Sequence, residues 1–358
     1  MKVALVGNWP PPHGGIAVHV AGLARALRQR GARVRVLDIG QGDHAALELV
    51  PARGPAAFGV ALAAAALGGW LIHVHTNGAN VKSWLVALSA GRARRPFGPH
   101  GVLSIHSGHS PPWLAASAGR RLLARAACAG FGKVVTVSEP IAEALAAAGV
   151  PRRLLTVLSP FSPSLVEPGE PPPQLAAIRA RHSPLFCAAV APGPTYGEDL
   201  LVPAFERVRA GVPRAGLVVF GPGTRKGLAA GCGHGSGVYA LGELDHPVAL
   251  ATVRGCDVFV RPSRTDGDSV SVREALAMGR VVVASNVGHR PHGCLLFPVG
   301  DAGALAWRLL EAGRAPAPPV SIASLRDPVE DLCAIYAALQ GGHPLSSGGR
   351  VGVRAPTL

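Results

Sequence analysis

Asp266 and Glu274 stand eight residues apart around a glycine-bearing turn, DGDSVSVREALAMG, between the apolar runs Val258–Arg261 and Val281–Ser285. The stretch reads as strand, loop, helix, strand. One acid in the loop and another in the first turn of the helix reach two hydroxyl-bearing parts of a single ligand. The backbone N–H groups of Gly267, Asp268, Ser269 and Val270 between them cradle a phosphate. Arg261, Arg264, Arg273 and Arg290 flank the loop, and a guanidinium suits a phosphate bidentately. Two other readings stand beside this one. Ser271-Val-Arg-Glu274 fits a capping box, in which Glu274 only closes the helix start. Asp266-Gly-Asp268 is an Asp-x-Asp pair, which could hold a divalent metal. Placement at a helix entrance favours sugar contact and loop closure over a metal, and no metal ligand set is assigned.

Further candidates lie in the first half. Gly14-Gly15 ends the loop GNWPPPHGG just before a helical pattern, so backbone N–H groups and a helix N-terminus face an anion there, unless the glycines serve only a tight turn. His106, in IHSGH after an apolar run, is placed to hydrogen-bond a sugar hydroxyl or a phosphate. His73 and His75 alternate on one strand face, which suggests either a metal or, better, core and cleft-wall histidines. Cys232-Gly-His234 offers two ligands in a glycine-rich loop, too few for a good metal site.

The elements that must position these residues alternate. Lys2–Val6 is a strand, Ile16–Arg30 has helical apolar spacing, and Val34–Ile39 is a second strand. Strands follow at Leu71–Val74, Gly101–Ile105 and Val134–Val137, with helices at Arg120–Ala129 and Pro140–Ala148. Seven prolines between Pro160 and Pro184 mark a linker. Alternation then resumes with strands Leu185–Val190, Leu217–Phe220, Val258–Arg261 and Val281–Ser285, and helices Leu200–Arg209 and Val272–Met278. The expected architecture is α/β, two doubly wound Rossmann-like domains facing a cleft. Its divisions are 1–165, an N-terminal Rossmann-like domain; 166–184, a Pro-rich linker; 185–325, a second, C-terminal domain; 326–340, a final helix; and 341–358, a disordered tail. Ala56–Val74 is apolar enough to suggest a membrane span, but Gly68-Gly69 breaks it into helix and strand.

Charge is unevenly spread. The 358 residues carry 35 Lys/Arg against 21 Asp/Glu, a net of +14. Residues 1–165 hold 17 basic and 5 acidic residues, a net of +12, while the remainder is near neutral at +2. The first half is a cationic surface suited to anionic partners such as lipid head groups and lipid-linked phosphates. With aromatics at 5% and no recognised motif, nucleic acid is not an expected partner. Six scattered cysteines without Cys-x-x-Cys spacing read as reduced thiols of a cytosolic protein.

Taken together, VALVGNWPPPHGGIAVHV, SIHSGH, VVTVSEPIAEALAAAGVPRRLLTVLSP, APGPTYGEDLLVPAFERV and DGDSVSVREALAMG resemble a retaining glycosyltransferase of family 4, with the GT-B fold, over roughly residues 1–340. The family's acidic pair is spaced Glu-x7-Glu; here it is Asp266 and Glu274. The resemblance implies transfer from a nucleotide-sugar donor with retention of anomeric configuration and no cofactor or metal. It implies Glu274 on the nucleotide ribose, Asp266 on donor-sugar hydroxyls and His106 near the anomeric region, with His106 and Asp266 as the catalytic pair. Gly14 and Gly15 line the phosphate and acceptor side, and Gly267, Asp268 and Ser269 complete the donor loop. The chain departs from the family in APGPTYGEDLL, where Tyr196 takes the place of the phosphate-clamping lysine and no arginine is present. The sequence resembles a variant subgroup in which arginines recur beside the acidic loop, so Arg261 or Arg273 is expected to bind the diphosphate.

The acceptor implied is a glycan or lipid-linked molecule in cell-envelope polysaccharide assembly, handled in the cytoplasm with peripheral contact at the anionic inner face of the plasma membrane. A soluble small-molecule acceptor of a secondary-metabolite pathway, aminoglycoside-type, is the alternative within the class. A nucleotide-sugar epimerase and a non-catalytic nucleotide-sugar-binding protein are the alternatives outside it. A dehydrogenase using Asp38 on a ribose lacks its glycine fingerprint.

Overall fold

The computed structural model describes residues 1–40, 49–93, 100–191, 193–227, 235–316 and 327–341. Cys232, His234 and the tail beyond Gly341 lie outside the described residues. Thirteen short strands among the described residues form two all-parallel sheets. The first contains β1 (Lys2–Gly7), β2 (Arg33–Asp38), β3 (Leu49–Pro51), β4 (Leu71–Thr76), β5 (Gly101–Ile105), β6 (Phe131–Thr136) and β7 (Leu155–Val157), in the order β3-β2-β1-β4-β5-β6-β7. The second contains β8 (Leu185–Ala189), β9 (Gly216–Phe220), β10 (Val238–Gly242), β11 (Val258–Arg261), β12 (Val281–Ser285) and β13 (Cys294–Phe297), in the order β10-β9-β8-β11-β12-β13.

Helices cover both faces, because a parallel sheet is apolar on both. In the first domain these are α1 (Gly15–Gln29), α2 (Gly54–Leu67), α3 (Val81–Arg92), α4 (Ser110–Ala115), α5 (Ala118–Cys128) and α6 (Glu139–Ala147). Next come α7 (Gln174–Arg181), α8 (Glu198–Gly211), α9 (Thr224–Gly227), α10 (His246–Arg254), α11 (Val270–Ala277) and α12 (Ala302–Ala312), and last α13 (Pro328–Gln340). Alternate residues of β1 supply the two sides: Ala4 and Val6 join the core that contains α2 and α3, while Val3 and Leu5 pack with α1. The second sheet divides likewise, with Val258 and Val260 on one side and Phe259 on the other.

Three features refine the sequence picture. The apolar stretch after residue 54 is a 14-residue helix, a turn at Gly68-Gly69 and then β4; no described helix is long and apolar enough to cross a membrane. The proline-rich segment is not featureless: α7 forms within it, and Leu175 and Ile178 bury against the second sheet. The final helix returns to the first domain, where Val329, Leu332 and Tyr336 share a core with Val3, Leu5 and Leu27.

Strand order reverses direction between β1 and β4 and again between β8 and β11, the switch points where a doubly wound sheet opens a crevice at its carboxyl edge. Both crevices belong to one cleft.

Candidate active site

The cleft has a volume of about 450 Å³ and is lined by loops that leave the carboxyl ends of the strands. From the first domain come His13 to Ile16 after β1, Asn77 after β4, and His106 to His109 after β5. The β1 loop is held from below by Asp38, whose Oδ1 accepts N–H bonds from Trp9 at 3.0 Å and Gly40 at 2.8 Å. Asp38 is buried in that role and does not line the cleft, which removes the dinucleotide reading. Gly14 is the N-cap of α1, and a Cβ on Gly14 or Gly15 would meet nothing within 4 Å. The glycines therefore open the N-terminus of a 15-residue helix to the cleft, where its unpaired N–H groups and dipole favour an anion.

The opposite wall is the loop between β11 and α11. Asp266 Oδ2 accepts from Arg261 Nε at 3.0 Å, Arg290 Nη1 at 3.1 Å and Ser263 Oγ at 3.1 Å. Burial alone would raise the Asp266 carboxyl, but the two guanidiniums outweigh it and hold the group below its ordinary value. All three bonds fall on one oxygen. Asp268 is claimed separately: Arg273 Nε donates to both its oxygens, at 2.7 and 2.9 Å, and Ser159 Oγ donates to Oδ2 at 2.9 Å. Each carboxylate of the Asp-x-Asp pair is thus neutralised by arginine.

Glu274 is nearly buried, and its Oε1 lies 2.7 Å from His246 Nε2 of α10, the imidazole N–H donating. The capping-box reading is therefore corrected. Helix α11 starts at Val270 with Ser269 as N-cap and no side-chain cap bond, so Glu274 lies past the third helical position a box requires.

The two walls touch. A Cβ on Gly267 would lie 2.5 Å from the His106 carbonyl oxygen, so the β5 and β11 loops meet backbone to backbone. Ser159 reaches Asp268 across the same boundary, and Glu243 Oε1 accepts from the His13 backbone N–H at 2.7 Å.

His106 is part of a larger group. Its Nε2 lies 3.1 Å from His75 Nδ1, and His19 of α1 stacks obliquely on both rings. His73 lies behind, its ring 4.0 Å from that of His75 and its nitrogens bonded to Ser104 Oγ and Tyr336 Oη. Burial, followed by the neighbouring imidazoles, lowers His75 and His106 well below the usual histidine value; His19 is pushed down to about 4 by burial and His73 to about 3.

Of the residues singled out by sequence, Gly14, Gly15, His106, Arg261, Asp266, Gly267, Asp268, Ser269 and Glu274 line the cleft. Arg273 does not, because its guanidinium is turned onto Asp268. Arg290 is buried behind Asp266, and Arg264 grips Asp199 through two bonds of 2.7 Å. The guanidinium of Arg261 sits 5.0 Å from the ring centre of Tyr196, and both line the cleft. Sequence reasoning missed His19, Ser159, Glu243 and His246. Only His19 carried a signal, one helical turn after Gly15.

Residues 13–161 match the family described as Glycosyltransferase Family 4, and residues 181–313 match Glycosyl transferases group 1. Each half of the chain thus matches a glycosyltransferase family model. The chain is 32% identical over 232 residues to the GDP-mannose-dependent alpha-(1-6)-phosphatidylinositol monomannoside mannosyltransferase of two Mycobacterium tuberculosis strains, CDC 1551 / Oshkosh and H37Rv. That match takes in 58% of the chain and 57% of the relative, so the chain spans a little over half the length of these curated relatives. In structure it is similar to Anabaena HepE crystallised with UDP and glucose, with a TM-score of 0.65, 17% identity, and 95% and 96% of the two chains covered. It is also similar to sucrose-phosphate synthase from Thermosynechococcus elongatus, with a TM-score of 0.63, 20% identity and 95% of each chain covered. At these identities the likeness is one of fold, and the fold is GT-B.

Proposed function

We propose that the protein is a retaining, metal-independent hexosyltransferase that moves a sugar from a nucleotide-sugar donor to a lipid-linked or glycan acceptor in cell-envelope polysaccharide biosynthesis. The observation that carries this is the convergence of α1 and α11, whose N-termini open on one cleft with Glu274 and Asp266 at its second wall. Two helix N-termini stabilise a departing diphosphate by fixed dipoles aimed where charge develops. Glu274, fixed by His246, accepts from the ribose hydroxyls. Asp266 offers Oδ1 to the donor sugar while its other oxygen stays on the arginines. His106 lies against the transferred sugar.

The diphosphate needs a cation where the family's lysine is replaced by Tyr196, and Arg261 is the candidate that lines the cleft. Its guanidinium lies over the Tyr196 ring and donates Nε to Asp266 and Nη1 to the Ala189 carbonyl, which leaves Nη2 for an anion. Of the two arginines expected for this role, Arg261 is therefore preferred over Arg273. The tie between this geometry and the variant subgroup with a DGDSVSVREA-type motif is part of the proposal.

Support for a lipid-linked acceptor comes from the +12 charge of residues 1–165 and from the mycobacterial relative, whose acceptor is a phosphatidylinositol mannoside. The proposed location is the cytoplasm, peripheral to the inner membrane face.

Thermal-shift screening of UDP-, GDP-, dTDP- and ADP-sugars identifies the donor. Transfer is then followed to a lipid extract presented in anionic vesicles, with the new linkage read by NMR. Formation of a linkage of the donor's own anomeric configuration is expected, with vesicle binding that weakens as salt rises. Donor turnover to epimers without acceptor, donor binding without transfer, or an inverted linkage would refute the proposed reaction. Transfer to an aminoglycoside-type soluble acceptor with no vesicle binding would move the acceptor to the secondary-metabolite class.

A further inference from the structure

Three imidazoles from three elements of the first domain meet behind the cleft. His19 stands one turn into α1, His75 lies on β4 and His106 follows β5. One ring nitrogen of each lies within 4.8 Å of the other two. His106 lines the cleft, which gives a route in, and the other two rings pack against it at centroid distances of 4.9 and 5.4 Å.

The protons on these rings can be assigned. The Pro160 carbonyl only accepts, so His19 Nδ1, 2.9 Å away, carries the hydrogen and His19 Nε2 presents a lone pair. An imidazole whose second nitrogen donates to a backbone carbonyl has the tautomer and orientation that metal ligation uses. His75 Nδ1 and His106 Nε2 share one hydrogen bond, and His75 Nε2 is buried with no hydrogen-bond partner at all. For the Nδ1 and Nε2 of that pair both to ligate, the shared hydrogen moves to the far nitrogen of its own ring.

We propose that His19, His75 and His106 bind one divalent transition ion of the zinc class, with its remaining coordination position open to the cleft. Three imidazole nitrogens suit Zn²⁺, and Co²⁺, Ni²⁺ or Cu²⁺ by the same donor chemistry, whereas Mg²⁺ and Ca²⁺ want carboxylate or carbonyl oxygens. Tetrahedral zinc with Zn–N bonds of about 2.0–2.1 Å requires nitrogens about 3.4 Å apart. The His75–His106 pair stands at 3.1 Å, and a His19 nitrogen lies within 4.8 Å of both. Metal and cleft ligand compete for His106, and metal binding is read without donor present, so its outcome does not depend on the sugar-transfer proposal.

The test uses the full, untagged chain stripped with chelator and titrated with Co²⁺. One equivalent should produce the intense visible bands of a four-coordinate site, abolished by added Zn²⁺. X-ray absorption of the zinc-loaded protein should show imidazole nitrogens at about 2.0 Å. His19→Ala and His75→Ala should each weaken binding more than about tenfold, while His292→Ala, at an exposed position, leaves it unchanged. The spectra of the unmodified chain decide the ligand set even where a variant fails to fold. Absence of stoichiometric binding, a six-coordinate oxygen-type spectrum, or binding that survives both substitutions in folded protein overturns the proposal.

Discussion

Gly108 of the first domain lies against the backbone of Asp266 of the second so closely that a Cβ on Gly108 would overlap the Asp266 carbonyl oxygen. The two loops that carry His106 and Asp266 are thus spaced by the absence of one side chain. Gly108→Ala should push them apart without touching either core. The expected result is a fall in kcat/KM of tenfold or more, because reacting groups displaced by about 1 Å lose their alignment. Thermal unfolding should stay close to that of the parent. Unchanged kinetics would show that the contact has no part in catalysis.

Glu274 and His246 should behave as one unit towards the donor. Glu274→Ala should weaken donor binding by at least about tenfold, as expected on loss of a charge-assisted bond. His246→Ala should produce a smaller loss by freeing the carboxylate. Calorimetric titration of the double variant should give no more than the Glu274→Ala loss, since contacting residues are non-additive. Fully additive effects would mean that His246 contacts the donor itself.

Arg290 has almost no exposed side chain and shares the Asp266 carboxylate with Arg261. Removing one partner of a buried ionic group leaves charge uncompensated. Arg290→Met should therefore cost about 3 kcal/mol of stability, measured by denaturant unfolding. A loss below about 0.5 kcal/mol would show that Arg261 and Ser263 suffice alone.

The same cluster sets an acid limit. Asp266 is held below its ordinary pKa in the folded protein, so the unfolded chain takes up its proton first as pH falls. The stabilisation is complete above the unfolded value, about pH 4, and is lost as pH drops through the folded one. At pH 7 Asp266→Asn should unfold at lower temperature than the parent, and the gap should narrow steadily below about pH 4. A gap that is constant from pH 7 to pH 3 contradicts the assigned ionisation.

The interior strands were legible in the sequence because each is a short, almost wholly apolar run, such as Val281–Ser285 or Leu217–Phe220. The four that were missed, β3, β7, β10 and β13, are the edges of the two sheets. Edge strands are covered less completely and need not be uniformly apolar, so Leu49–Pro51 and Leu155–Val157 carry too few residues and too little pattern to register. The site divides along similar lines. Glycines and acids that follow a strand announce themselves by position, and nine of the ten residues chosen this way line the cleft. Arg273 fails because sequence places a guanidinium beside a loop but not the carboxylate it prefers. His246 and Ser159 were invisible for the opposite reason: each acts on a residue more than 25 positions away, Glu274 and Asp268 respectively.

The return of α13 to the first domain has a mechanical result. Tyr336 is fully buried there and bonded to His73, so the chain crosses between the domains once after β7 and again after α12. Bodies tethered at two points swing about the line joining the tethers; they do not swivel freely as they would on one. Opening of the cleft is thereby more restricted than it would be on a single crossing. A cut at either crossing alone would leave the halves tied, and residues 1–165 expressed alone would lack a helix that completes their own interior.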